Sequence, residues 1–276
     1  MIAILLSNMG YVRQIVIFYR KNQTLLAQLT KRNIESHYKG SILGMFWALV
    51  HPLLMLAVYS FVFGVIFQSR WESFGSDSPA GFPLTLFVGL TIFNFFAETV
   101  NKSPALILNN PNFVKKVVFP LKVLSLALVG ETLFHAAVSF LILLLGMLVL
   151  TDALSWTILL LPITFLPVVF LALGFSWLLS ALGVFFRDIQ HAASTFTMVL
   201  FFITPIFYPA SMVPESFRFI LAINPLAMAI DSCRRVVWGQ MPDWSGLLVA
   251  LIISLVVLLV AHLTFEKLRT LFADAL

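Results

Sequence analysis

Glu131 and His135 stand four residues apart in "GETLFHAA", inside an otherwise apolar stretch. On a helix that spacing puts both on one face, within reach of each other. An ionisable residue at membrane depth is a functional-site hypothesis by default. The pair could relay protons, hold a metal with a third ligand, or bond each other and steady helix packing. No HExxH or other metal spacing accompanies them, so the structural pairing is the simplest of the three. Other chemistry is sparse. No GxxxxGK(S/T) loop occurs, so the chain has no recognisable cradle for a nucleoside triphosphate. No DxD pair is present, and Asp231, Arg234 and Arg235 are thin material for catalysis. An intramembrane glycan-modifying enzyme is therefore a weak alternative. An ion-coupled secondary transporter using Glu131 and His135 is another, but such proteins usually show two related halves and no internal repeat is visible.

The elements that must position these residues are membrane helices. The 276 residues are 61% hydrophobic and only 11% charged, with a mean hydropathy of +1.01. A soluble domain carries about a quarter charged residues. Six segments approach the roughly 20 residues that a bilayer core requires: 41–67, 82–100, 121–150, 156–186, 192–208 and 247–265. Period-2 alternation is weak, which argues against a β-barrel. The expected fold is an all-α membrane protein, one transmembrane domain over residues 1–276. The net charge of +5 suits anionic lipid headgroups, and no basic-aromatic patch for nucleic acid is present. One cysteine, Cys233, excludes an internal disulfide. The N-terminus lacks a basic region before its short apolar run and reads as mature protein.

An even number of spans puts both termini on one side. On that side lie thirteen Lys and Arg: Arg13, Arg20, Lys21, Lys31, Arg32, Lys39, Lys102, Lys115, Lys116, Lys122, Arg187, Lys267 and Arg269. The other side has four: Arg70, Arg218, Arg234 and Arg235. The positive-inside rule then makes both termini cytoplasmic. Residues 69–81 form an external loop, and 103–120 a cytoplasmic connection bracketed by Pro104, Pro111 and Pro120. Residues 205–243 make an external excursion too apolar for an ordinary loop. Within it "SFRFILAI" and "LAMAIDSCRRVVW" read as short helices separated by Asn224-Pro225. We expect the segment 205–238 to be re-entrant, because Pro205, Pro209 and Pro214 prevent one continuous helix.

At the front of span 1 a basic segment runs directly into the apolar one. Residues 22–39 place Leu25, Leu26, Leu29, Ile34 and Tyr38 on one face, with Lys31, Arg32, Glu35 and Lys39 on much of the rest. Either this helix lies flat at the cytoplasmic interface, or the segment is a disordered basic signal that only orients span 1.

Five ordered blocks carry a resemblance. "HYKGSILGMFWALVHPLLMLAVYSFVFGVIF", "LFVGLTIFNFFAETVNKSPALILNNPNFVKKVVFPLKVLSL", "FFRDIQH", "TPIFYPASMVP" and "NPLAMAIDSCRRVVWG" resemble the membrane subunits of ABC-2 type exporters for O-antigen and related polysaccharides. His51 stands where Asn is expected, and His37 where Arg is usual. The resemblance implies a bacterial inner-membrane permease that binds no cofactor itself. It implies a separate ATPase that holds ATP and Mg, two permease copies with two ATPase subunits, and an undecaprenyl-pyrophosphate-linked glycan as substrate. "NNPNFVKK" then becomes the ATPase coupling helix within 109–118 (Asn109, Asn110, Asn112, Phe113, Lys115, Lys116), with Asn112 capping it. Without the resemblance it is a plain connector. Lys31, Arg32 and Lys39 are candidates to meet the pyrophosphate at the cytoplasmic entrance. Tyr59, Phe63, Phe93, Phe96, Phe201 and Phe202 are candidates for the glycan route, since sugar C–H faces stack on aromatic rings. Pro205, Tyr208, Pro209 and Phe217 would form the external gate.

The topology is open to direct test. With Cys233 replaced, a membrane-impermeant thiol reagent outside spheroplasts should label Ser76→Cys and not Lys115→Cys. The reverse pattern overturns the orientation.

Overall fold

The computed structural model describes residues 21–67, 80–115, 119–151 and 154–275, with the side chain of Lys115 left aside. The N-terminal cations Arg13 and Arg20, the external loop with Arg70 and Ser76, and Lys116 lie outside the described residues. Every described element is helical. Five helical stretches are long and apolar enough to cross a membrane. The first is α2 (Trp47–Tyr59), entered through a 3-10 turn and continued by π-type turns to Ile66. The others are α3 (Gly81–Lys102), α5 (Lys122–Leu150), α6 (Leu161–Phe185, entered through a 3-10 turn from Trp156) and α10 (Trp244–Arg269).

Helix α1 occupies residues 21–38. Leu29 is buried, and Leu25 and Leu26 pack against the core. Lys31, Arg32, Glu35 and Lys39 are exposed on the other side. The helix lies on α5, where Thr30 comes so close to Gly130 that no Cβ would fit there. Gly40 (φ 87°) and Gly44 (φ 52°) turn the chain from α1 into span 1 in a conformation that glycine adopts without steric cost.

Burial is uneven. In α3, 83% of the apolar window is buried, against 11% in span 1. Helix α3 is the central rod, antiparallel to α5: Thr99 meets Thr132 near one end, and Leu84 approaches Gly146 near the other. Helices α6 and α10 run parallel, with Gly174 against the backbone of Leu258 and Trp177 beside His262. Span 1 stands at the margin and leaves Phe61, Val65 and Ile66 exposed.

The fifth expected span is shorter than its apolar run. Helix α7 covers Ile189–Ile203, 15 residues, or about 22 Å at 1.5 Å per residue. It ends because Pro205 disfavours helical backbone at the residue before it, and Thr204 is extended (φ −78°, ψ 132°). Tyr208 then donates its hydroxyl hydrogen to the Phe202 and Ile203 carbonyls (2.9 and 3.2 Å), which the stopped helix leaves unpaired. At the other end Asp188 occupies the cap position without a side-chain bond to the helix.

Two short helices follow: α8 (Arg218–Ile223) and α9 (Pro225–Val237). With the turn beginning at Glu215 they form a pair bent by 88°. Asn224 makes the corner. Its Oδ1 accepts from the amides of Leu226 and Ala227, and its Nδ2 donates to Thr204 Oγ1 at 3.0 Å.

Between α3 and α5, α4 (Asn112–Lys115) is a single turn. The C-terminal α11 (Phe272–Ala275) inserts Phe272 between Phe185 and Phe265. The segment after α3 packs against α6 so closely that a Cβ at Gly183 would overlap the Pro104 carbonyl. Gly183→Ala should therefore destabilise the protein by about 1–3 kcal/mol, read as a lower unfolding temperature in detergent. Gly146→Ala, which meets only flexible leucine termini, should leave it unchanged.

Candidate functional site

Two polar clusters sit at opposite ends of α3. At its C-terminal end, Lys102 Nζ donates to Glu98 Oε1 at 2.7 Å and to Glu131 Oε1 at 2.8 Å. His135 Nδ1 lies 3.3 Å from Glu98 Oε2, and His37 Nδ1 lies 3.6 Å from Glu131 Oε1. The rings of His37, Tyr38 and His135 meet edge-on, with centroids 4.9–5.9 Å apart. Glu131 and His135 do share a face of α5, but each bonds a residue of α3 rather than its helical neighbour. Burial, then Lys102, hold the His37 imidazole below its usual range.

His37, Glu98 and Glu131 place ligand atoms within 4.8 Å of one another. The Lys102 ammonium is hydrogen-bonded to both carboxylates and stands where a metal ion would have to sit. The donor set already holds its cation, so these residues do not fit a metal.

Above this cluster a cavity of about 570 Å3 opens between the end of α1, α2, α3 and α5. Tyr59 lines it. The other aromatics proposed for the route fall elsewhere. Phe93 is buried against Phe201, with centroids 5.1 Å apart, and Phe96 is fully buried against Phe175. Phe63 touches Phe82 and Phe207, while Phe202 is exposed. Of the entrance cations, Arg32 and Lys39 line one groove beside Tyr38, and Lys31 faces Glu35 at 3.8 Å.

In the coupling segment Phe113 stacks on Phe119 with centroids 4.3 Å apart. Asn110 Nδ2 donates to the Leu106 carbonyl, and the Asn109 amide to the Ala105 carbonyl. Asn112 is the first residue of α4 rather than its cap, and its side chain is exposed. The side chain of Lys115 and the whole of Lys116 lie outside the described residues. Just beyond, the buried Lys122 pairs its ammonium with Glu266, bonds His262 at 3.0 Å and sits 5.6 Å from the Trp177 ring centre. This fastens the start of α5 to α10 and α6. From the sequence Lys122 reads only as an orienting charge.

The cluster at the N-terminal end of α3 centres on Arg234, which is 3% exposed. Its Nε donates to the Thr85 carbonyl (3.2 Å), Nη1 to that of Pro205 and Nη2 to that of Ile206 (both 2.8 Å). Gly89 makes room, since a Cβ there would meet the guanidinium. Nearby, Trp238 Nε1 donates to Thr85 Oγ1, Thr157 Oγ1 to the Val236 carbonyl, and the buried Cys233 thiol to Thr164. Pro205 is thus pinned and Tyr208 caps α7. Pro209 precedes a 3-10 turn, and Phe217 is exposed. The periodicity of α9 shows an apolar face, but nothing in the sequence signals that Arg234 lies on it.

Lys102→Met should leave Glu98 and Glu131 facing each other without a cation, at a cost of about 3–5 kcal/mol. Thermal unfolding of the purified protein should show a large drop, partly restored by adding Glu131→Gln. Unfolding at the parent temperature would show that Lys102 does not hold the cluster.

Residues 24–238 match the ABC-2 type transporter family. The chain is 31% identical over 256 residues to the O-antigen export system permease protein RfbA of Myxococcus xanthus, covering 91% of this chain and 95% of that protein. A protein of the same name from Klebsiella pneumoniae is 29% identical with the same coverage. The polysialic acid transport protein KpsM of Escherichia coli is 25% identical over 75% of this chain and 78% of its own length. With its apolar helices this makes a multi-pass membrane protein, and the chain belongs to the ABC-2 type transporter membrane family.

Proposed function

We propose that this chain is the membrane-spanning permease subunit of an ATP-driven exporter. It moves a lipid-linked cell-surface polysaccharide from the cytoplasm across the bacterial inner membrane. The observation that carries this reading is similarity to O-antigen permeases along nearly the whole length of both proteins. Family membership implies an ABC ATPase partner, and the absence of a phosphate-binding loop in this sequence agrees with placing ATP and Mg there. Two permease copies and two ATPase subunits make the working assembly, with both termini cytoplasmic. The thinly covered α2, with exposed Phe61 and Val65, suits a two-fold contact with a second copy.

The mechanism follows from how the elements are tied. The ATPase acts on α4 and the asparagine turn before it. Motion there reaches α6 through the Pro104–Gly183 contact and α10 through Lys122 and Glu266. It reaches the outside along α3, whose far end is bonded through Arg234 to Pro205 and Ile206. Lys31, Arg32 and Lys39, exposed on α1 and the turn after it, capture the undecaprenyl-linked pyrophosphate by charge-assisted contacts. The polymer then passes aromatics of α2, α3 and α7, and α8 with the Pro205–Tyr208 segment narrows its exit.

Combined Ala substitution of Asn112, Phe113 and Lys116 tests the reading. Surface polysaccharide should fall roughly tenfold, within the scale of one allosteric coupling energy, while the subunit still inserts and assembles. Export at the parent rate would leave 109–118 a plain connector.

A further inference from the structure

The cavity beside α3 shares Tyr59 with the proposed export route, but the rest of its lining has no part in that route. On α3 it faces Asn94 and Glu98, on the side turned away from the buried Phe96. Aromatic rings from α2, Trp47 and Tyr59, form one wall. His135 and Ser139 of α5 form the other. At about 570 Å3 the space lies within the usual range for a small-molecule site, about 300–1,000 Å3.

Its chemistry is selective. Among the described lining residues there is no Lys or Arg, and Glu98 contributes a carboxylate. Lys102 does not line the cavity and is bonded to both Glu98 and Glu131. The imidazoles of His37, His51 and His135 also line it, so a pyrophosphate would meet a carboxylate and no permanent cation in the walls. Hydroxyl groups find complementary partners instead. Asn94 is exposed to the space and offers both a donor and an acceptor. The His135 imidazole, held through Nδ1 beside Glu98, forms part of the polar wall. The flat faces of Trp47 and Tyr59 suit the C–H faces of a pyranose ring, as tryptophan and tyrosine combine apolar area with a polar edge.

We infer that this cavity is a subsite for the uncharged sugar rings of the glycan, separate from the cations that receive its pyrophosphate. The inference rests on the export reading above. The glycan enters beneath α1, and one or two rings lodge between Trp47 and the Asn94–Ser139 wall while the lipid anchor stays outside.

The experiment uses the full transporter in cells that make their own polysaccharide, labelled by growth on tritiated glucose. The photoreactive residue p-benzoylphenylalanine is placed at Ser139, at Leu145 on the exposed side of α5, or at Phe202. After illumination, Ser139 should give a tritiated, glycan-bearing adduct that disappears when glycan synthesis is blocked, and Leu145 should give none. Surface export with no glycan-dependent adduct at 139 overturns the subsite but leaves the export reading intact, and an adduct at 202 would then put the rings beside α7. Failure of the parent chain to export any polysaccharide would remove the export reading and the subsite together. Because the bulky probe could disturb folding, Trp47→Leu provides an independent arm. It should lower export about fivefold at an equal amount of assembled complex, the scale of one aromatic contact, with Trp47→Phe restoring most of it. Equal export by Trp47→Leu and the parent also overturns the subsite.

Discussion

A guanidinium buried in an apolar bundle must be surrounded by acceptors or it destabilises the fold by several kcal/mol. The end of the bundle where α3 begins is arranged around that requirement. Arg234 bonds carbonyls of Thr85, Pro205 and Ile206, so two stretches of chain, each distant from it in sequence, must converge on one side chain. The Pro205 and Ile206 carbonyls are available because they belong to irregular backbone after α7, while the Thr85 carbonyl, in the first turns of α3, accepts from Nε with its second lone pair. Pro205 sets this up twice. It stops α7, and its own carbonyl is one of the acceptors.

Helix α3 carries this constraint across the membrane. One end accepts from Arg234 and the other end donates from Lys102. Glu98 is held at depth by Lys102 and His135, and Asn94 opens into the cavity. The contrast with span 1 is instructive. That segment, Gly44–Ile66, is more apolar than α3, with a hydropathy of 2.1 against 1.5, yet it is much less buried. Hydropathy reports what a helix tolerates around it, while burial reports its place in the bundle.

Much of the architecture was legible in the amino-acid order. Uncharged runs gave the long helices, and Asn224-Pro225 gave the corner between α8 and α9. The shortened α7 was less legible because apolar residues continue past the point where Pro205 makes helical backbone unfavourable at Thr204. Cations were the least legible. Lys102, Lys122 and Arg234 enter a charge tally as markers of a side, whereas each is held by groups from helices far away in sequence. Periodicity put Glu131 and His135 on one face of α5, but it cannot name what another helix brings to that face. The route residues divide in the same way. Being aromatic does not distinguish Phe96, fully buried, from Tyr59, which looks into a cavity.

Lys102 also decides what holds this end of α3 to α5 during biogenesis. Its ammonium arrives with the polypeptide, covalently linked to the helix that needs it. The neutralising charge there comes from the chain itself. In a compartment where free divalent metal varies, the junction of α1, α3 and α5 keeps the same neutralising charge from the moment the helices meet.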